Sequence, residues 1–544
     1  MIKHITNFLL FRKFRLYNFN KLKKIDVNKK TKKKIILIEF NSFHVVHIIF
    51  SYFSFFFLKK NFQTVAFYSH ILMTYSLEET FKQKIFRFLS PIFNLGFFGV
   101  YKSFGVNKFL FPKIDTFIIN KAKYELDKIL KILKSKKDIL EINLSNTYVG
   151  DLVYDTYLTR TKNQKPTINY KSNEFKNFLF DFIKLFYFWE EYFKKNKIKA
   201  VLSTHGCYTM GIPIRIALKN KILSLEVKEN RLKRLSNKNL FYSCESEYYP
   251  KMFSALKNNK KKEAIQIAKK RLDERFRGSN EDLPYVTNSA FSKKEKFKNQ
   301  IKKNKKLKIL ILPHDFIDAP HSGGLFPFPD MYEWIKFLAK MSKKKSNYDW
   351  YLKTHPKMGD KWEWYQNFTR NYVSEIIKDS NIKILHPNTP HNKIISSKID
   401  FVLTIFGTAA HEYAYKNIKV INGGDTNPHF SYKFNKHVSN YKDYFEVINN
   451  LEKVNFKIDK KKVLEFYYIH YIYCDKNWFF DYDKLLKNLG NYHLQWSPKV
   501  YEFWLSKTNN YKNYSKVFEK NINSFLESKD LVFTIGHKTK DGYN

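Results

Sequence analysis

Four short stretches in the second half of the chain concentrate residue types that move protons and hold phosphates. PHDFIDAPHSGG, residues 313–324, places His314, Asp315, Asp318 and His321 ahead of the pair Gly323–Gly324. Imidazoles and carboxylates this close together can serve as acid, base or metal ligands. Their spacing fits no standard metal template, so no metal site is expected, and Asp318 and His321 stand as candidate bases. The plainer alternative is a polar loop capped by Asp and broken by Pro and Gly. KTHP, residues 353–356, offers Lys353 and His355 as donors to phosphate oxygens, with Pro356 stiffening the turn by fixing its own φ.

FGTAAHEYAYKN, residues 406–417, combines Gly407, which allows close backbone approach, with Thr408 where a helix begins. The first N–H groups of such a helix suit a phosphate. Glu412, one turn in, can accept from ribose hydroxyls, and His411 lies beside it; an ordinary Thr cap with a solvent-facing Glu412 is the alternative. NGGDTNPHFSYKFN, residues 422–435, brings Asn427 and His429 together in a loop read as part of a binding wall.

These residues act as a group only if the fold gathers them. Apolar runs at 307–312, 348–353, 382–385, 401–405 and 419–421 read as strands buried on both faces. Helical patterns lie between them, around 331–343, 361–379, 391–397 and 408–416. That alternation implies a parallel sheet, and all four stretches then follow the carboxyl ends of strands, where open parallel sheets bind ligands.

The first half opens as strand–helix–strand, with strands at 34–40 and 63–68 and an apolar helix through Leu58 between them. Phe175, Phe178, Leu179, Phe182, Ile183, Phe186, Trp189 and Phe193 mark one face of a helix over 174–196. A strand at 198–203 leads into a loop, 204–211, that carries His205, the candidate base of this half. A short helix with Pro213 near its first turn and a strand at 222–227 follow. The aromatic- and glycine-rich stretch 86–111 fits an acceptor-side insertion or a hydrophobic hairpin against lipid.

The expected fold class is α/β: two doubly wound Rossmann-like domains facing across a cleft, with C-terminal helices. The expected divisions are a basic segment 1–33, a first domain 34–278, a polar lysine-rich linker 279–306, a second domain 307–458 and closing helices 459–544.

Composition narrows the class. The chain has 544 residues, 44% hydrophobic and 18% aromatic, well above what a disordered chain carries. A formal charge of +48 resembles a nucleic-acid footprint. The lysines are spread along the chain, however, and no zinc-finger, RNP-like or helix-turn-helix pattern accompanies them, so no nucleic acid is expected as a partner. Contact with anionic lipid or an anionic substrate fits that charge better. Three separated cysteines form no ligand pair and suit a reducing compartment. The N-terminus lacks a signal-peptide h-region, and the most apolar run, 45–58, is shorter than the ~20 residues a spanning helix needs. The expected place is the cytoplasm, with peripheral contact on the inner membrane face.

KTHP followed by FGTAAHEYAYKNIKVINGG resembles the donor-domain signature of capsule and surface-polysaccharide glycosyltransferases of the GT-B type. The HP element is similar to that of Kdo- and sialic-acid-type transferases and of the glycerophosphotransferases of teichoic-acid synthesis. DAPH, 318–321, and NPHFSYKFN, 427–435, look like further elements of this group, and THGCYTMGIPIRIALKN, 204–220, is similar to its late first-domain loop and helix. The resemblance implies donor phosphates at His355, Gly407 and Thr408, and a ribose near Glu412. It implies a nucleotide-sugar as substrate, no tightly bound cofactor or catalytic metal, and a glycan or lipid-linked acceptor. The acidic-pair-plus-glycine motif of sialyltransferases is absent, so the base does not transfer. Alternatives are a CDP-linked polyol-phosphate transferase, a nucleotide-sugar epimerase and a non-catalytic membrane-surface scaffold.

Overall fold

The computed structural model describes residues 2–25, 34–68, 81–160, 165–238, 240–241, 244–283, 289–291, 300–355, 363–508 and 514–539. Its strands, in chain order, are β1 (Lys34–Phe40), β2 (Phe62–Tyr68), β3 (Lys108–Leu110), a small hairpin of β4 (Asn143–Leu144) and β5 (Thr147–Tyr148), β6 (Ile198–Ser203), β7 (Leu223–Lys228) and β8 (Arg231–Arg234). The second half supplies β9 (Lys308–Ile311), β10 (Asp349–Leu352), β11 (Ile382–Ile384), β12 (Phe401–Thr404), β13 (Lys419–Gly423) and β14 (Lys436–Val438).

The strands form two six-stranded sheets, ordered β3-β2-β1-β6-β7-β8 and β11-β10-β9-β12-β13-β14. The second is parallel throughout, and the first is parallel except for its last pair. Both orders are doubly wound, reversing next to the first strand of each half. The chain is therefore an α/β protein with two Rossmann-like units. Expected and observed strands coincide where burial on both faces writes a continuous apolar run. The short edge strands β3, β8 and β14 carry no such run and escaped the sequence reading.

The most apolar stretch lies in the helix His44–Lys59, whose side chains from His44 to Leu58 are all buried. One side covers the first sheet; the other meets the helices Lys499–Thr508 and Tyr514–Glu527. A helix covered on both sides is apolar all round, which explains a run that would otherwise suggest a membrane. Among the described residues no helix is long and apolar enough to cross one.

Packing departs from the divisions expected from composition. Residues 2–22 form a helix whose Phe14 is buried and stacks on Tyr501 with ring centroids 4.2 Å apart. The helix Asn258–Phe276, assigned by sequence to the first domain, packs with the helix Lys460–Tyr468 beside the second sheet. The segment from Trp478 onward returns to the first domain. The 279–306 region is no plain linker either, since Leu283, Phe291 and Ile301 are buried. Composition missed these crossings because a lysine-rich helix can still bury one narrow stripe, here Ala264, Ala268 and Leu272.

The helix Gly150–Arg160 of the first domain grips the loop after β9. Tyr154 Oη donates to Asp330 Oδ2 at 2.6 Å, and Thr159 Oγ1 donates to the carbonyl of Ile317. Asp330 also caps the helix Met331–Lys344 by accepting from the Glu333 N–H. These bonds hold the two halves together on one side.

Candidate functional site

In each sheet the reversal point lies between two neighbouring strands, β1/β6 and β9/β12. The loops leaving these four strands line one cavity of about 670 Å³. That volume suits a nucleotide-sized ligand. Phe43 follows β1, Thr204 and His205 follow β6, Pro313 to Asp315 and Asp318 follow β9, and Phe406 to Ala409 follow β12. Lys353, Thr354 and His355 enter from β10, and Trp496 closes the rim from the returning C-terminal segment, its ring 5.8 Å from that of Phe43.

The first-domain wall is built on Glu39, a carboxylate inside the apolar strand β1. Glu39 Oε2 accepts from Ser203 Oγ at 2.7 Å, the Thr204 N–H at 2.6 Å and Thr204 Oγ1 at 2.8 Å. Burial pushes its carboxyl up and these donors pull it down. Three converging donors on one oxygen favour the carboxylate. Since the Thr204 hydroxyl proton goes to Glu39, Thr204 Oγ1 accepts from His205 Nδ1 at 2.9 Å. That assigns the Nδ1–H tautomer and puts the lone pair of the imidazole on Nε2. Burial, followed by the charge of Lys228, lowers the His205 pKa to about 3, so the ring is neutral.

The second-domain wall centres on Lys353. Its Nζ donates to His391 Nε2 at 3.3 Å, and His391 Nδ1 donates to Tyr413 Oη at 2.7 Å. Burial lowers the Lys353 pKa to about 7, with Glu412 working in the opposite direction. A phosphate entering the cavity would supply the anion this amine lacks. The turn at Gly407 closes tightly on the strand end: a Cβ there would stand 2.9 Å from Thr404 Oγ1, which itself donates to the Leu312 carbonyl at 3.0 Å.

Glu412 lines the cavity but has a second commitment, since its Oε1 accepts from Arg275 Nε at 2.9 Å. Both side chains are buried. Glu412→Ala would strand a buried guanidinium, so it is expected to cost about 3–5 kcal/mol of stability, whereas Glu412→Gln keeps an acceptor and should stay folded. Denaturant midpoints of the two variants check this.

The other residues singled out from sequence divide clearly. Asp318 lines the cavity and accepts from Tyr208 Oη at 2.8 Å across the domain boundary. Tyr208 and the adjoining Ala319 hold left-handed φ values of 55° and 45°, backbone strain at the cleft wall. His355, Gly407 and Thr408 line the cavity. Pro356 lies outside the described residues.

His321, His411, Asn427 and His429 are not cavity residues. His321 is fully buried, with Nδ1 2.6 Å from Asp155 Oδ1 and Nε2 3.0 Å from the Pro329 carbonyl. With acceptors on both nitrogens the ring is an imidazolium, its pKa raised by Asp155 against the effect of burial. It ties the two halves together instead of taking a proton from a substrate. His321→Leu, which leaves the buried Asp155 without its counter-charge, is expected to lower stability by about 3–5 kcal/mol in chemical denaturation. His411 packs among Phe466, Tyr467 and Tyr471. His429 Nε2 meets Asn422 and Asn435, and Asn422 Nδ2 donates to Asn427 Oδ1. Asn422, Asn427, His429 and Asn435 therefore bond to one another within the loop.

Sequence reading missed Glu39, Thr204, Arg275 and His391. Glu39 had left a signal, a carboxylate inside the buried run KIILIEF. Arg275 and Trp496 left none, because they arrive from helices remote in sequence.

No family model matches the chain, and no curated protein matches it significantly. Solved structures similar to it include a beta Kdo 2,4 transferase, KpsC, from Thermosulfurimonas dismutans, at 10% identity over 51% of this chain and 85% of that one, TM-score 0.32. A UDP-GlcNAc 2-epimerase from Neisseria meningitidis bound to UDP-GlcNAc matches at 11% identity, over 80% and 97%, TM-score 0.26. The wall teichoic acid polymerase TagF matches at 10% identity, over 93% and 97%, TM-score 0.21. All three are enzymes of sugar or cell-envelope polymer chemistry. The Rossmann-like assignment rests on the strand orders above.

Proposed function

We propose that the chain is a glycosyltransferase that moves a sugar from a nucleotide-sugar to a hydroxyl of a surface glycan or lipid-linked acceptor, without a tightly bound cofactor or catalytic metal. One observation carries this reading: a single cavity sets Lys353 and the 407–408 turn on one wall and His205, braced by Thr204 and Glu39, on the other. In this scheme Lys353 and His355 hold the donor phosphates, the turn N–H groups join them, and Glu412 meets the ribose. These groups stabilise charge as it builds on the leaving phosphate. His205 Nε2 takes the acceptor hydroxyl proton as that oxygen bonds to the anomeric carbon and the sugar–phosphate bond breaks. An anionic donor close to the imidazole raises its basicity from the depressed value of the empty cavity. Asp318 is the rival base.

A thermal-shift screen against CMP, CDP, UDP, GDP and ADP, free and sugar-linked, tests the donor site. A ligand at 100 times its dissociation constant adds about 2.7 kcal/mol of stability, or a few degrees. The expected result is a shift with one nucleotide that disappears in Lys353→Met. A CDP-polyol preference would make the enzyme a polyol-phosphate transferase, and turnover of a UDP-sugar without acceptor would make it an epimerase. Binding with no turnover over a broad acceptor panel would leave a scaffold, and no shift with any nucleotide would end the proposal.

A further inference from the structure

The exposed large apolar side chains are unevenly distributed. On the helix Phe81–Ile92, Phe81 (77% exposed), Ile85, Phe88 (69%) and Ile92 follow one another at four- and three-residue spacings and so share one face. Phe93 (64%) and Leu95 are exposed as well, just past the helix end. The N-terminal helix Ile2–Leu22 adds a second exposed row, Phe8 (65%), Leu9 and Leu16, opposite its buried Leu10, Phe14 and Asn18. The two rows belong to one side of the molecule. Arg15 Nη1 donates to the Asn94 carbonyl at 3.4 Å, and the rings of Phe11 and Phe97 stand 5.9 Å apart. A clustered apolar patch of this size marks a contact surface, unlike singly scattered apolar residues.

Charge identifies the occupant. The N-terminal helix carries Arg12 and Lys13 on its exposed side and no acidic residue, while its Lys21 turns inward to Tyr52 and Ser515; the second helix carries an exposed Lys82 and again no acidic residue. Arg12 and Lys13 are exposed between Leu9 and Leu16. A second copy of this chain on the same face would set like charge against like charge. An anionic bilayer instead takes aromatic and aliphatic side chains into the headgroup boundary and basic ones at the phosphates, the arrangement of helices that lie in a membrane plane. We propose that the outer faces of Ile2–Leu22 and Phe81–Ile92 together dock this protein flat on an anionic lipid surface. The proposal does not rest on the sugar-transfer reading.

The test is co-sedimentation of the full chain with vesicles of phosphatidylcholine alone or mixed with phosphatidylglycerol. Binding to the anionic vesicles should exceed binding to the neutral ones by about tenfold or more and weaken with salt. The double variants Phe81→Ser with Phe88→Ser, and Phe8→Ser with Leu16→Ser, should each reduce it by about tenfold or more. Ile384→Ser, an exposed apolar residue on an edge strand of the second sheet, should leave it unchanged. These sites are at the surface, so the variants should keep the wild-type melting curve and nucleotide response. Three outcomes overturn the proposal: no vesicle binding by the wild type, equal binding by all variants, or concentration-dependent dimers that the patch variants abolish while vesicle binding persists.

Discussion

His205→Gln is expected to lower turnover by about 10²- to 10⁴-fold, the usual worth of a positioned general base. Nucleotide-induced stabilisation should survive, because the donor phosphates are assigned to the opposite wall. The prediction follows from the short chain Glu39–Thr204–His205, in which the Thr204 hydroxyl donates to Glu39 and accepts from His205 Nδ1. Thr204→Val removes the acceptor for the Nδ1 proton while nearly preserving volume, so it should reduce turnover in the same direction by a smaller factor. The kcat/KM profile, which reports the free enzyme, should show no acid limb from His205 between pH 5 and 8, since its pKa lies at about 3 in the empty cavity. Turnover with acceptor, measured beside the nucleotide thermal shift, separates the cases. If His205→Gln turns over normally while Asp318→Asn does not, the base is Asp318.

Lys353→Met is expected to move stability and binding in opposite directions. In the folded protein the amine titrates near 7, against 10.5 in its ordinary state, because burial penalises the charge. The unfolded chain therefore binds the proton more tightly. The cost is fully present below about pH 7 and disappears as pH rises towards 10.5, so wild-type stability should climb across that window. At 1.36 kcal/mol per pKa unit, relief of that cost in the methionine variant is on the order of a few kcal/mol near neutrality. The variant should melt higher than the wild type and lose the slope between pH 7 and 10. Its affinity for the nucleotide should fall by about 10²-fold, the size of a lost charge-assisted hydrogen bond. In the wild type kcat/KM should decline above pH 7 as the free enzyme's lysine discharges. A lower melting temperature with unchanged nucleotide affinity would show that Lys353 serves the fold and not a phosphate.

The parts of the site legible in the sequence were those written by single strands. KTHP and FGT follow runs buried on both faces, so their place at a strand end was readable from local pattern. The same reasoning promoted His321, His411 and His429, and the structure puts all three in the interior. Strand-end placement fixes where a loop begins, not which of its side chains turns inward. At His321 that was settled by Asp155, 166 positions away in a helix that sequence reading left unassigned. At Glu412 it was settled by Arg275, 137 positions away on a helix that packs beside the second sheet.

The two doubly wound halves, and the side of each sheet that carries polar loops, are legible in local pattern. These follow from the periodicity of burial, which every strand and helix records in its own residues. Tertiary contacts settled which histidine meets the cavity and which becomes a buried cation. They also decided that Phe8 and Phe88 lie bare while the more apolar 45–58 run is covered. The physical reason is that exposure and protonation depend on what packs against a residue, and at these positions the neighbour comes from a distant part of the chain.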